Sequence, residues 1–356
     1  MYPRVFRAVA VTFAASAIAG AAVAVPAQAE PGRAPATVAA ITDHLAQRLA
    51  PALATGALAA DASDGAVTLA AVPRGSSLGE AIRQADRAVL AAKGLPADGP
   101  SLLRLRLADP GMRAALSRGE RPLVAAAWTD DLGTTVTAYD AAGKKVVLDA
   151  RRVPSRPVFV VDVDTEKALP LGLEVIEETL ARHGMAAPQV AATSGYWATQ
   201  VRAVRLSDDK EPWIKGGAEI FGITGGFGLD GKVKVDTVTM PYLDHDGTTY
   251  YPNQLIVHFS AYKYNLADFV MMEDDGDTNY QALATALVNA LLTIVDGGAY
   301  VPLVNAILEA IPASWWTDDP DYVDSWYTLS TQSAGRFNGA AANGWMDLAQ
   351  YWVAPL

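Results

Sequence analysis

Helical and strand periodicities alternate through the first half of the chain. Val38, Ile41, Leu45 and Leu49 recur at helical spacing and predict a helix after a short tether, Pro31 to Pro35. Gly56 to Gly75 carries no clear period and reads as loop. Ser77-Leu78-Gly79-Glu80 has the form of a capping box, opening a helix through Ile82, Ala85, Val89 and Ala92 that Gly94 stops. Leu103, Leu105 and Leu107 alternate with Arg104 and Arg106, the period of a half-buried strand. Further strands are predicted at Pro122–Trp128, Thr134–Tyr139, Val146–Leu148 and Pro157–Val163. An amphipathic helix over Glu166–His183 then turns Leu169, Leu173, Ile176 and Leu180 inward and closes at Gly184.

Beyond the small-residue stretch Ala186–Gly195 the pattern shortens to β-type runs separated by turns. Strands are predicted near Thr199–Leu206, Ala218–Gly225, Lys232–Met240, Thr249–Ser260, Asp268–Met272, Tyr322–Thr331 and Gly344–Val353. Seven of the eight tryptophans and eleven of the thirteen tyrosines lie in this half. Thr278-Asn279-Tyr280-Gln281 reads as a second capping box before an uncharged helix to Val295, and Pro302–Ile311 as a shorter helix. The expected architecture is an α+β domain over 30–190, then a β-sandwich domain of C2-like type over 196–356 with a helical insertion at 278–311.

Composition adds a compartment. Arg4 and Arg7, the apolar run Ala8–Val25 and the Ala27-Gln28-Ala29 cleavage site make residues 1–29 read as a secretory signal peptide, so a secreted, extracellular protein is expected. Cysteine is absent, which excludes disulfides, thiolate nucleophiles and cysteine-bound zinc. The acidic excess is concentrated: residues 196–356 carry a net charge of −12 and residues 30–195 only −1. That balance argues against nucleic acid and against an anionic membrane surface as partners.

Much of the excess lies in a few connections. Glu273, Asp274, Asp275 and Asp277 crowd four carboxylates into five positions, and acidic residues recur at Asp208-Asp209, Asp244-His245-Asp246 and Asp318-Asp319. If the strands run up and down, these connections share one end of the fold. Like charges this close repel unless a cation sits among them, and calcium takes six to eight oxygen ligands. Asp208, Asp209, Asp244, Asp246, Asp274, Asp275 and Asp277 are therefore the candidate metal ligands, with calcium the expected ion. The spacing is not that of an EF-hand: Tyr280 stands at the glycine position and Ala286 at that of the closing glutamate. Turn and helix capping is the structural alternative for each loop taken singly.

Catalytic signatures are sparse. The histidines His44, His183, His245 and His258 form no H-E-x-x-H pair, and there is no G-x-S-x-G elbow or phosphate-binding P-loop. His245, between two aspartates, is the histidine to test, and His258 reads as a satisfied strand residue. Trp315, Trp316, Trp326, Tyr322 and Trp213 offer aromatic surface for sugar stacking, or belong to the core.

Five stretches taken together carry a resemblance: Leu123–Trp128 with Ala138-Tyr139-Asp140, Arg156–Val161, Asp209–Ile214, Ala218–Phe221 and Asp319–Asp324. They resemble an uncharacterised family of secreted bacterial proteins, a domain of unknown function of the DUF3103 kind. The resemblance implies export and the two-part layout, and it assigns no catalytic residue. The leading expectation is a non-enzymatic secreted protein whose calcium-stabilised sandwich presents a binding surface to an extracellular ligand, glycans being the candidate class. A glycan hydrolase using carboxylates of the same loops is the alternative. A membrane-inserting protein using the two apolar helices is a third reading, although each is shorter than a span requires.

Overall fold

The computed structural model describes residues 36–53, 61–62, 65–127, 133–188, 194–208, 213–274, 276–311 and 322–355. Asp209, Asp275, Trp315, Trp316, Asp318 and Asp319 lie outside these. The first-half pattern folds as α1 (Val38–Leu53), β1 (Val67–Thr68), α2 (Ser77–Ala92), β2 (Leu103–Leu107), α3 (Arg113–Ser117), β3 (Leu123–Ala126), β4 (Thr135–Tyr139), β5 (Lys145–Asp149), β6 (Val158–Val163) and α4 (Thr165–Arg182). The strands make one sheet in the order β1-β2-β6-β3-β4-β5, antiparallel except for β3 beside β6. Every residue of β6 is buried, as a central strand covered on both faces requires.

The second half adds β7 (Tyr196–Leu206), β8 (Ile220–Phe227), β9 (Val233–Thr239), β10 (Thr249–Tyr250), β11 (Gln254–His258), β12 (Leu266–Glu273), α5 (Tyr280–Leu291), α6 (Val304–Ala310), β13 (Tyr322–Ser330), β14 (Gly335–Asn338) and β15 (Gly344–Val353). Two antiparallel sheets result, β10-β7-β15-β14 with β11 also on β7, and β13-β12-β8-β9. Val201, Val204, Met346 and Leu348 of the former share a buried cluster with Ile220, Phe269, Met271 and Trp326 of the latter. The opposite face of the latter, through Phe221, Ile223, Val270 and Met272, joins α4, α5, α6 and the first sheet in one larger core. The whole is an α+β arrangement of mostly antiparallel sheets. Residues Ala36–Leu356 form one compact unit, and its larger core draws on both sides of the stretch 186–195.

Several boundaries differ from the expected ones for local reasons. The cap of α2 is Ser76, not Ser77: Ser76 is extended and its Oγ accepts the Gly79 N–H at 3.0 Å, while Glu80 reaches Arg83. The cap of α5 is Asn279 rather than Thr278; its Oδ1 accepts the Ala282 N–H at 2.8 Å and its Nδ2 donates to the Ala92 carbonyl at 2.7 Å. The strand expected over Thr249–Ser260 breaks in two where Pro252 lacks an N–H and Asn253 takes φ 52°. Short β14 carries too little alternation to be read from sequence. Among the described residues no helix is long and apolar enough to cross a membrane; α5 spends Leu283, Leu287, Val288 and Leu291 on the core.

Candidate ligand cleft

β2 places its leucines in the first core and its arginines on the other face. That face meets the second half of the chain rather than water. Arg104 lies opposite Asp162 of β6 in register, and its Nε donates to Asp162 Oδ1 at 2.9 Å, with Asp164 at 3.6 Å from Nη1. Arg106 Nε donates to Asp162 Oδ2 at 2.5 Å, and its Nη2 to the Ile214 carbonyl at 2.6 Å and to that of Lys215. One buried aspartate thus holds both guanidinium groups, and Arg106 holds the segment that leads into β8.

Above these arginines lies a cavity of about 590 Å³, within the usual size range of small-ligand sites. Arg104 and Arg106 form part of its wall. Glu166, Leu169 and Pro170 of α4 form another, with Gly216–Glu219 and the segment Thr239, Pro241, Asp244 and His245 completing it. Gly216 takes φ 119°, a backbone region that favours glycine, although added side-chain carbons here would meet only ordinary contacts. A Cβ at Gly216 would stand 3.4 Å from Arg106 Nη2, and one at Gly217 3.5 Å from Asp244 Cβ.

Glu219 is the chemically distinctive group. It stands half-buried between the buried Ala218 and Ile220, where β8 begins. Burial pushes its carboxyl up to about 8, aided by the Asp274 and Asp162 charges; a hydrogen bond from Thr165 and the Arg104 charge oppose this only in part. It is therefore largely a neutral acid at pH 7, able to donate a proton. Asp244, from the opposing segment, accepts the Tyr250 hydroxyl at 2.8 Å. His245 is exposed beside it.

Two of the acidic connections adjoin one another. Gly247 N–H donates to the Leu206 carbonyl at 2.9 Å, which sets the Asp208 and Asp246 turns side by side, whereas Asp274 N–H donates to the Glu219 carbonyl at 3.1 Å. Their side chains part company there. Asp244 faces the cleft, whereas Asp208, Asp246 and Asp277 are exposed. Asp274 is 1% exposed and turns inward, where Lys93 Nζ lies 3.1 Å from Oδ1 and the Tyr280 hydroxyl donates to Oδ2. Among the described residues no three Asp, Glu or His side chains are grouped as a metal would need. His258 is half-buried, with the Tyr196 hydroxyl 3.0 Å from Nδ1, and Trp326 is buried.

Sequence reasoning passed over Glu219, Arg104, Arg106, Asp162 and Lys93. A lone carboxylate flanked by apolar strand residues, and a strand whose polar face is purely cationic, were the available signals. A cleft walled by four separate segments, with a raised carboxyl at a strand end, marks the candidate site of this α+β protein. The chain belongs to the family described as a protein of unknown function (DUF3103), matched over residues 33–356. No curated protein and no solved structure matches it.

Proposed function

We propose that the protein is an exported hydrolase acting in this cleft on neutral glycans, with Glu219 as general acid and Asp244 as the carboxylate that activates water or attacks. The observation that carries the reading is the Glu219 carboxyl, raised to about 8 in a cavity that also presents Asp244. Cleaving a glycosidic bond needs a carboxylic acid to protonate the leaving oxygen and a second carboxylate to act from the other side. The charge of the wall narrows the substrate. Arg104 and Arg106 are already held by Asp162, Asp164 and two carbonyls. Glu166 and Asp244 add negative charge. A phosphorylated or carboxylated substrate would meet repulsion there, and a neutral sugar would not.

The test is a turnover screen of the secreted protein on neutral polysaccharides, with Glu219→Gln and Asp244→Asn beside it. Loss of turnover by about 100-fold or more in both variants is expected from removal of acid–base groups. Binding of a glycan by the unaltered protein without any cleavage would replace the hydrolase by a lectin-like module.

A second reading is favoured by the hydrogen bond between Gly247 and Leu206, which sets the Asp246 turn beside Asp208. Calcium shared by Asp208, Asp246 and Asp209, the next residue in sequence after Asp208, would tie the ends of β7 and β10, adjacent strands within one sheet of a C2-like sandwich. Melting in calcium and in chelator tests it: a raised midpoint supports the ion, and equal midpoints remove it.

A further inference from the structure

Lys93 and Asp274 meet where water does not reach. Both side chains are 0% exposed, and Nζ lies 3.1 Å from Oδ1. Lys93 ends α2 and Asp274 follows β12, so the contact joins positions 181 residues apart. Each partner is held in place. The Lys93 ammonium also donates to the Gly276 carbonyl at 2.9 Å, and the Lys93 carbonyl accepts the Tyr280 N–H at 3.0 Å. Asp274 Oδ1 accepts the Gly276 N–H at 3.2 Å, and the Tyr280 hydroxyl donates to Oδ2. The Tyr280 ring lies 4.9 Å from Nζ and walls the pair on one side.

We propose that Lys93 and Asp274 condense, once the chain has folded, into an intramolecular isopeptide bond. Nζ attacks Cγ, the Nζ–Cγ bond forms and the Cγ–Oδ2 bond breaks. The two protons that the ammonium gives up leave with Oδ2 as one molecule of water, so no oxidant or activating co-reactant is needed. Three features favour this over a lasting ion pair. Two charges removed from water are poorly compensated by each other, whereas the amide is neutral. The two groups are held in contact, Nζ 3.1 Å from Oδ1, which offsets the entropy a bimolecular condensation would lose. The Tyr280 hydroxyl sits on the oxygen that departs and polarises the carboxyl for attack. The product would close a long covalent loop in a chain that has no cysteine to close one, constraining the unfolded state as a disulfide does. The bond would remove the Asp274 charge, a lesser cause of the raised Glu219 carboxyl, and leave burial, the first cause, in place, so the mass measurement and the glycan-turnover screen fail separately.

Mass spectrometry of the denatured full chain tests it. The expected mass is lower than that of the linear sequence by one water, and digestion should yield a branched peptide joining the segment around Lys93 to the segment around Asp274. Trypsin should fail to cut after Lys93 in that species. Lys93→Arg should restore the linear mass; because the unaltered chain is itself the test, poor folding of this variant would leave the result intact. A full linear mass, with ordinary cleavage after Lys93, overturns the proposal.

Discussion

Gly172 of α4 and Tyr280 at the start of α5 touch so closely that a Cβ at 172 would fall 2.3 Å from three atoms of the tyrosine ring. Tyr280 cannot give way easily. It is fully buried, its N–H is bound to the Lys93 carbonyl and its hydroxyl to Asp274. Gly172→Ala should therefore lower stability by about 1–3 kcal/mol, the range for overpacking a filled core. Urea unfolding with the slope unchanged would show it. An unaltered midpoint would mean that the two helices slide apart at no cost.

Glu219 makes stability depend on pH in a defined direction. In the unfolded chain its carboxyl titrates at its ordinary 4.5, and in the folded chain at about 8. Between those values the folded state holds the extra proton, so raising the pH favours unfolding. The contribution is complete below 4.5 and is lost as pH rises through about 8. Melting temperature from pH 5 to 9 should accordingly fall more in the unaltered protein than in Glu219→Gln, which has no proton to lose there. Parallel curves for the two would show that Glu219 titrates alike in both states.

Arg106 spans both halves of the fold, with Nε on Asp162 and Nη2 on the Ile214 and Lys215 carbonyls. An ammonium is a single point and cannot reproduce that fork. Arg106→Lys should cost about 2–4 kcal/mol, since it leaves Asp162 and two carbonyls short of donors in a partly buried site. Faster amide exchange confined to the segment 213–219 would accompany the loss. Unchanged exchange there would mean that the segment is held by other contacts.

Legibility followed the locality of the cause. β2 and α4 were readable because burial of Leu103 or Ile176 imposes a period on neighbouring residues, and β6 because burial on both faces favours a nearly continuous apolar run. Caps were read one position off at Ser77 and Thr278, since adjacent residues offer equivalent oxygens and only the backbone angles of Ser76 and Asn279 decide between them. The approach of the Asp208 and Asp246 turns was foreseeable from strand direction. The direction of each side chain was not: Asp274 turns away from the others because Lys93, 181 residues earlier, waits on its inner side. Glu219 was missed for a similar reason. Its raised carboxyl depends on burial beside Asp162 and Asp274, supplied by separate parts of the chain.

The same carboxyl should mark the pH profile of catalysis on neutral glycans. A general acid must be protonated before it can serve, so kcat/KM should fall as pH rises past the Glu219 value of about 8. Glu219→Gln keeps a neutral donor of hydrogen bonds but has no proton to transfer. It should therefore retain substrate binding, lose turnover and lose the basic limb together. Substrates with leaving groups that need no proton, such as nitrophenyl glycosides, should be cleaved by Glu219→Gln far better than natural ones. If both substrate types lose activity equally, Glu219 positions the ligand and some other group supplies the proton.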